Sequence, residues 1–187
     1  MKENFTSSLL NFFQTAVLPL LSGHDFKILD LGSADYSLFE KTDLNKKLIE
    51  AIDLKIDTNQ LRSSEIKYFI RNITESNSFK NNYYDLIFDS HCLHCLKSNE
   101  EQEIALKNIY SSLEMGGIFA SEIMVQPSVN KVYFPSRVVR EAIDLEKMIV
   151  NTGFKIIYFV IVPQMNFYFE ANEGEIVCDM LRVIAKK

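Results

Sequence analysis

Residues 89–95 read DSHCLHC, so two of the chain's three histidines and two of its three cysteines fall within seven positions. Such residues serve three kinds of chemistry. A closed zinc site takes four ligands and an open one three. Seven residues are too few to wrap four side chains around one ion, and convincing zinc motifs pair two clusters across a longer loop. Read as a helix that starts after Asp89, the run puts His91 and His94 on one face and Cys92 and Cys95 on a neighbouring one. Only one pair then meets any given site, so no metal site is expected, and a metal or redox module on these four residues is the weakest reading. Proton transfer is the second chemistry. An imidazole titrates near neutrality and suits removal of a proton from oxygen, nitrogen or sulfur. His91 is the candidate catalytic residue, with simple hydrogen bonding to a cofactor or substrate as its alternative. The third use is packing, with Cys92, Leu93, Cys95 and Leu96 turned inward, cysteine acting as a small hydrophobe, and His94 buried behind them.

What positions this run is a chain of 187 residues, 47% hydrophobic and 24% charged, the profile of one domain able to bury a core without disulfides. A formal charge of -5 with no long run of either sign provides no surface for gripping nucleic acid. Three unevenly spaced cysteines do not form a secreted disulfide framework, and a cytoplasmic protein is expected. Lys2 before an apolar stretch resembles a signal peptide, but Asn11, Gln14 and Thr15 interrupt it, and no other stretch approaches the length of a membrane span. In the N-terminal stretch Phe5, Leu9, Phe12, Phe13, Val17 and Leu20 recur at helical spacing, and Pro19 and Gly23 close the segment.

From Phe26 onward, compact apolar runs alternate with amphipathic stretches, the pattern of a parallel sheet flanked by helices. Strands are predicted over Lys27–Leu31, Ile49–Asp53, Ile66–Ile70, Leu86–Asp89, Gly117–Ile123, Phe154–Val162 and Cys178–Ala185, seven in all. Ser98 and Glu101 have the spacing of a capping box, with Leu106, Ile109 and Leu113 following and Gly116–Gly117 as a left-handed stop. A second helix is predicted over Ser136–Asn151, with Val139, Ala142, Ile143 and Ile149 inward and Gly153 at its end. Gln126–Pro135 reads as a loop of functional length. A last strand entered through a loop rather than a helix is expected to be antiparallel.

Ligands of open parallel sheets sit outside the carboxyl ends of the strands. FKILDLGSADYSLF, residues 26–39, breaks from a buried strand into a turn at Gly32, where a missing side chain lets backbone approach a ligand. Alone, one glycine also fits a plain strand-to-helix turn. Asp53 ends the second strand 21 residues beyond Gly32, at the place where an acid can accept hydrogen bonds from both hydroxyls of a ribose. Turn and acid together favour an adenosine-type ligand.

ILDLGS, AIDL, YYDLIFDSHCLHCL and LEMGGIFASEI, in this order and spacing, resemble the successive motifs of class I S-adenosylmethionine-dependent methyltransferases, over about residues 26–187. The resemblance implies an α/β fold: a seven-stranded, mostly parallel sheet with an antiparallel last strand, helices on both faces and an extra N-terminal helix. It implies a single domain over 1–187, with 1–23 as a helical cap that in such enzymes often covers cofactor or substrate and 24–187 as the Rossmann-like core. The implied cofactor is S-adenosyl-L-methionine. Asp30 matches the acid that orients the first turn and the cofactor's amino group, and Gly32, Ser33 and Ala34 match the turn beneath the methionine part. Asp53 matches the ribose ligand, with Leu54 as an apolar wall for adenine. Asn72 and Ile73 fall where the adenine amino group is bound, and Asp89, Ser90 and His91 where the methionine end and the methyl are lined. Ala34 and Tyr36 stand where the family has glycines, and side chains there can tighten the turn or push the ligand outward.

Methyl transfer from a sulfonium needs mainly alignment and exclusion of water. The expected function is therefore methyl transfer to a small-molecule acceptor, with an inactive methyltransferase-like domain that binds an adenosine ligand or a protein partner as the alternative. The FFQ segment, Tyr36, NKVYFPSR (130–137) and NFYF (166–169) form an aromatic lid in one reading and plain core in the other.

Overall fold

Every residue of Ile28–Leu31 (β1) is buried, although Asp30 carries a carboxyl, which requires a strand covered on both faces in the middle of a sheet. The computed structural model describes this chain except residues 1, 22, 24, 57–64, 128–136 and 169–174. Its other strands are Ile49–Asp53 (β2), Lys67–Ile70 (β3), Tyr84–Ser90 (β4), Leu113–Val125 (β5), Lys155–Tyr168 (β6) and Glu175–Lys186 (β7). They form one sheet in the order β3-β2-β1-β4-β5-β7-β6. The pairs from β3 to β5 are parallel, whereas β7 runs antiparallel to both β5 and β6, as expected for a strand entered through a loop. Strand order reverses between β1 and β4, so the turns after these two strands flank the cleft.

Alternation along the strands sends side chains to two cores. Leu29, Leu31, Ile87, Phe119 and Val183 face the helices Asn99–Ser112 (α2) and Ala142–Thr152 (α3). Ile28, Phe88, Ile118, Ala120 and Ile184 face the helix Lys2–Phe12 (α1) and the turns that follow it. Past Phe12 the N-terminal helix widens into a π-turn over Phe13–Val17 and ends in a 3-10 turn at Leu18–Leu20, where Pro19 forbids continuation. Phe12 and Phe13 are core: Phe13 meets Phe39 and Phe88 edge-on, with ring centroids 5.0 and 5.9 Å away. Each such burial contributes about 2 kcal/mol. The FFQ segment thus covers a face of the sheet and is no lid.

Helix α2 begins as its sequence demands. Ser98 Oγ accepts from the Glu101 amide at 3.1 Å, and the Glu101 carboxylate reaches back to the Lys97 amide at 2.7 Å. Its end corrects the expectation. The helix stops at Ser112 and Leu113 already pairs with Tyr84 in the sheet, so Gly116 and Gly117 lie within β5. Gly117 is required because an added Cβ would sit 2.9 Å from the Glu114 carbonyl and 3.0 Å from that of Tyr84. Helix α3 starts later than the predicted Ser136, with Arg140 bridged to Val125 and Glu141 still extended. Leu145, Met148 and Ile149 form its inner stripe, whereas Ile143 points outward. Gly153, at φ 111, ends it as predicted. Residues 130–136 of the NKVYFPSR loop, and the side chains of NFYF, lie outside the described residues.

Candidate functional site

The first turn is held from both sides. The Gly32 amide donates to the Ile52 carbonyl at 2.9 Å, and the Ala34 amide donates to Asp53 Oδ2 at 2.9 Å. Gly32 sits at φ 75, where an added Cβ would lie 2.8 Å from Cys92 Cβ. Its lack of a side chain therefore lets the first turn pack against the turn after β4. Ala34 adopts the left-handed conformation too, at φ 48, where the family prefers glycine. Tyr36 is exposed, clear of the buried part of the turn.

Asp53 stands at the tip of β2. Besides Ala34 it accepts from the Lys55 amide, at 3.2 Å on Oδ1. A carboxylate has about four acceptor sites, so after two backbone bonds it retains capacity for two hydroxyl donors. Beside it, Leu54 is 66% exposed, an apolar side chain offered at the strand tip. Asp53 and Leu54 are thus brought together with Gly32, Ser33 and Ala34. Asn72 is part-buried after β3, and its Oδ1 accepts from the amide and hydroxyl of Thr74, folding the local turn. Ile73 is buried among the α2 core residues, and its carbonyl accepts from Asn108 Nδ2 at 3.0 Å. Its side chain is core and faces no ligand.

Two further carboxyls are fully buried. Asp30 accepts from Ser37 Oγ at 2.6 Å and Ser90 Oγ at 2.7 Å, tying the first turn to the end of β4. Burial pushes its carboxyl up to about 6 against those hydrogen bonds. Asp89 is not a lining residue. It points into the α2/α3 face and accepts from Ser121 Oγ at 2.5 Å and from the amides of Cys92 and Leu93 at 2.7 and 3.2 Å. Burial raises its carboxyl above the usual range.

After β4 the chain does not enter an α-helix. It makes a left-handed step at His91, φ 68, and a 3-10 turn over Leu93–Cys95. The cause is Asp89, which gathers the two amides into a tight turn. Leu93 and Leu96 are buried as expected, whereas Cys95 is exposed. His94 is buried and its Nδ1 accepts from the Met124 amide at 3.3 Å, while burial holds its imidazole well below the usual pKa. Burial likewise raises the Cys92 thiol strongly, so it offers no ready thiolate. Among the described residues, no three His, Cys, Asp or Glu side chains converge as a metal site.

His91, by contrast, is part-exposed at the cleft with Nε2 3.2 Å from Glu122 Oε1. Glu122, 1% exposed on β5, accepts on Oε2 from Arg182 Nε of β7 at 2.6 Å. An Arg182 terminal nitrogen donates to Ser8 Oγ of α1 at 2.6 Å, and its guanidinium lies over the Phe12 ring. Burial alone would raise the Glu122 carboxyl, but the contacts with His91 and Arg182 outweigh it and hold the group below its ordinary value. Glu122 and Arg182 were not legible as site residues. The available signal was a lone acid inside GIFASEIMV and a lone base inside CDMLRVIA, two charges in runs that otherwise read as buried strand.

A family model described as a methyltransferase domain matches residues 23–121. No curated protein matches the sequence. Among solved structures, the chain is similar to 1,6-didemethyltoxoflavin-N1-methyltransferase of Burkholderia thailandensis, solved with 1,6-didemethyltoxoflavin and S-adenosylhomocysteine bound, at TM-score 0.68 and 16% identity, covering 97% of this chain and 76% of that one. A SAM-dependent methyltransferase of Archaeoglobus fulgidus matches at TM-score 0.70 and 15% identity, covering 100% and 95%. The [4+2]-cyclase SpnF matches at TM-score 0.73 and 13% identity, covering 98% and 80%.

Proposed function

The chain belongs to the methyltransferase domain family, and on that premise we propose that it moves a methyl group from S-adenosyl-L-methionine to a small organic acceptor. The observation that carries this is Asp53: fixed by the Ala34 and Lys55 amides, it keeps acceptor capacity for a ribose beside the exposed Leu54. The residues present fit an adenosine ligand, with Asp53 for the ribose, Leu54 for the adenine face, and Gly32, Ser33 and Ala34 beneath the methionine part. Asp30 and Ser90 brace that turn, and Asn72 closes the far side. Bound there, S-adenosylmethionine supplies a methyl already activated on a sulfonium. His91, at the cleft after β4, holds the acceptor and takes the proton that its oxygen, nitrogen or sulfur loses as the new bond to carbon forms. A charge of -5 with no long basic run supports a small molecule over a nucleic acid. No helix among the described residues is long and apolar enough to cross a membrane, and a cytoplasmic setting is part of the same reading.

A second reading has its own observation. Ala34 occupies a left-handed position meant for glycine, which suits a domain that binds an adenosine ligand or a protein without turning it over. Calorimetric titration with S-adenosylmethionine and S-adenosylhomocysteine separates the two. Binding of both at micromolar strength, lost in Asp53→Ala with the fold intact, supports the cofactor site; an acceptor screen should then find turnover that His91→Asn lowers by roughly a hundredfold. A folded protein that binds neither sinks the reading.

A further inference from the structure

His91 alone does not make a directed base. A neutral imidazole carries its hydrogen on either nitrogen, and which one is set by the partner of the other. Glu122 Oε1 is buried and accepts no hydrogen bond from any described group, while His91 Nε2 stands 3.2 Å from it. The second oxygen is occupied by Arg182, whose terminal nitrogen is fixed in turn by Ser8. The turn that Asp89 folds sets His91 at φ 68 and so fixes the backbone from which the ring reaches Glu122.

We propose that Glu122 is a positioning residue for His91: clamped by Arg182 through Oε2, it accepts the His91 Nε2–H at Oε1 and leaves Nδ1 as the atom that takes the acceptor's proton. This rests on the reading of His91 as the proton acceptor. With S-adenosylmethionine bound, the acceptor's lone pair would take the methyl carbon as the carbon–sulfur bond breaks and leaves its pair on a neutral thioether. The acceptor's proton would pass to Nδ1, and the resulting imidazolium would lie beside an ionised carboxylate. Glu122 itself stays unprotonated throughout, with Arg182 as its permanent counter-charge. Among the described residues, the His94 ring stands near His91 at right angles, 5.7 Å away, and Asp89 spends its oxygens on Ser121 and the turn.

A Gln at position 122 makes the test sharp. Arg182 can only donate, so it draws the amide oxygen of Glu122→Gln to itself and turns the NH2 toward His91. Nε2 must then accept, and the hydrogen moves to Nδ1, the atom that must carry a lone pair to take a proton. Removing the arginine as well, in Glu122→Gln/Arg182→Met, frees the amide oxygen to face His91 and restores the original tautomer. Nitrogen-15 NMR of histidine-labelled protein above the pH of ring protonation reads this directly, with His91→Asn assigning the signal.

Expected are Nε2–H in the wild type, Nδ1–H in Glu122→Gln, and Nε2–H again in the double variant. A wild-type Nδ1–H tautomer, or a Glu122→Gln signal unchanged from wild type, overturns the proposal. If Glu122→Gln alone does not fold, the wild-type tautomer decides. Titration of the same samples with S-adenosylhomocysteine keeps the two readings apart. Binding with Nδ1–H removes the positioning role alone, whereas Nε2–H without binding removes the methyl-transfer reading and leaves the His91–Glu122–Arg182 geometry standing.

Discussion

Asp89 and Glu122 lie one ladder step apart, since Asp89 pairs with Ser121 and Ser90 with Glu122 where β4 meets β5. They point to opposite faces of the sheet and titrate in opposite directions. On the α2/α3 face, Asp89 meets a hydroxyl and two amides, neutral donors that satisfy its lone pairs without repaying the loss of water. On the α1 face, Glu122 meets a guanidinium and an imidazole, and the same burial is outweighed. Equal burial therefore yields a turn-former on one side and a fixed charge on the other. The partners decide which.

The strongest way to break this contrast is to remove the cation. Arg182→Met strands the Glu122 charge and should destabilise the fold by about 3 kcal/mol in urea unfolding at pH 7. Adding Glu122→Leu should recover most of that. A loss below about 1 kcal/mol for the single variant would mean that Arg182 does not hold the charge in place.

Asp30 sharpens the comparison through pH. Like Asp89 it has only hydroxyl and amide partners, and its carboxyl is raised from 3.8 to about 6. The folded state thus holds this proton more tightly than the unfolded chain. The associated stability is present below about pH 4 and is lost as pH rises through 6, amounting to about 3 kcal/mol. Asp30→Asn should remove that slope from the stability profile between pH 4 and 6, and a profile unchanged by the substitution would refute the assignment.

The smallest effect is expected at Asp89 itself. Asn keeps the shape, its oxygen can serve the Cys92 and Leu93 amides, and Ser121 can accept from its NH2. Asp89→Asn should cost less than about 1 kcal/mol at pH 7. A loss as large as that from Arg182→Met would erase the distinction between the two faces.

How much of this was legible follows from sequence separation. The seven strands, the β7 reversal, the α2 cap and the Gly32–Asp53 pairing depend on local patterns and on one spacing, and all could be read. Ile143 was placed on the wrong side because a 3.6-residue period fits several stripes on a short helix. The 3-10 turn after β4 was missed because Asp89, which folds it, looked like a ligand group. Glu122 and Arg182 meet across 60 positions. Nothing within either strand names the other, so the relay to His91 was invisible before the sheet was assembled.

The contact between Ser8 and Arg182 joins residues 174 positions apart. At a ribosome's pace of about 5–20 residues per second, Ser8 is made roughly ten to thirty seconds before its partner. The clamp on Glu122 thus waits for β7, well after β5 and α1 have been made. A chain that stopped before β7 would carry Asp53 and His91 in its sequence but would lack the cation that fixes Glu122. Arrival of β7 is thereby written into the partner set of Glu122.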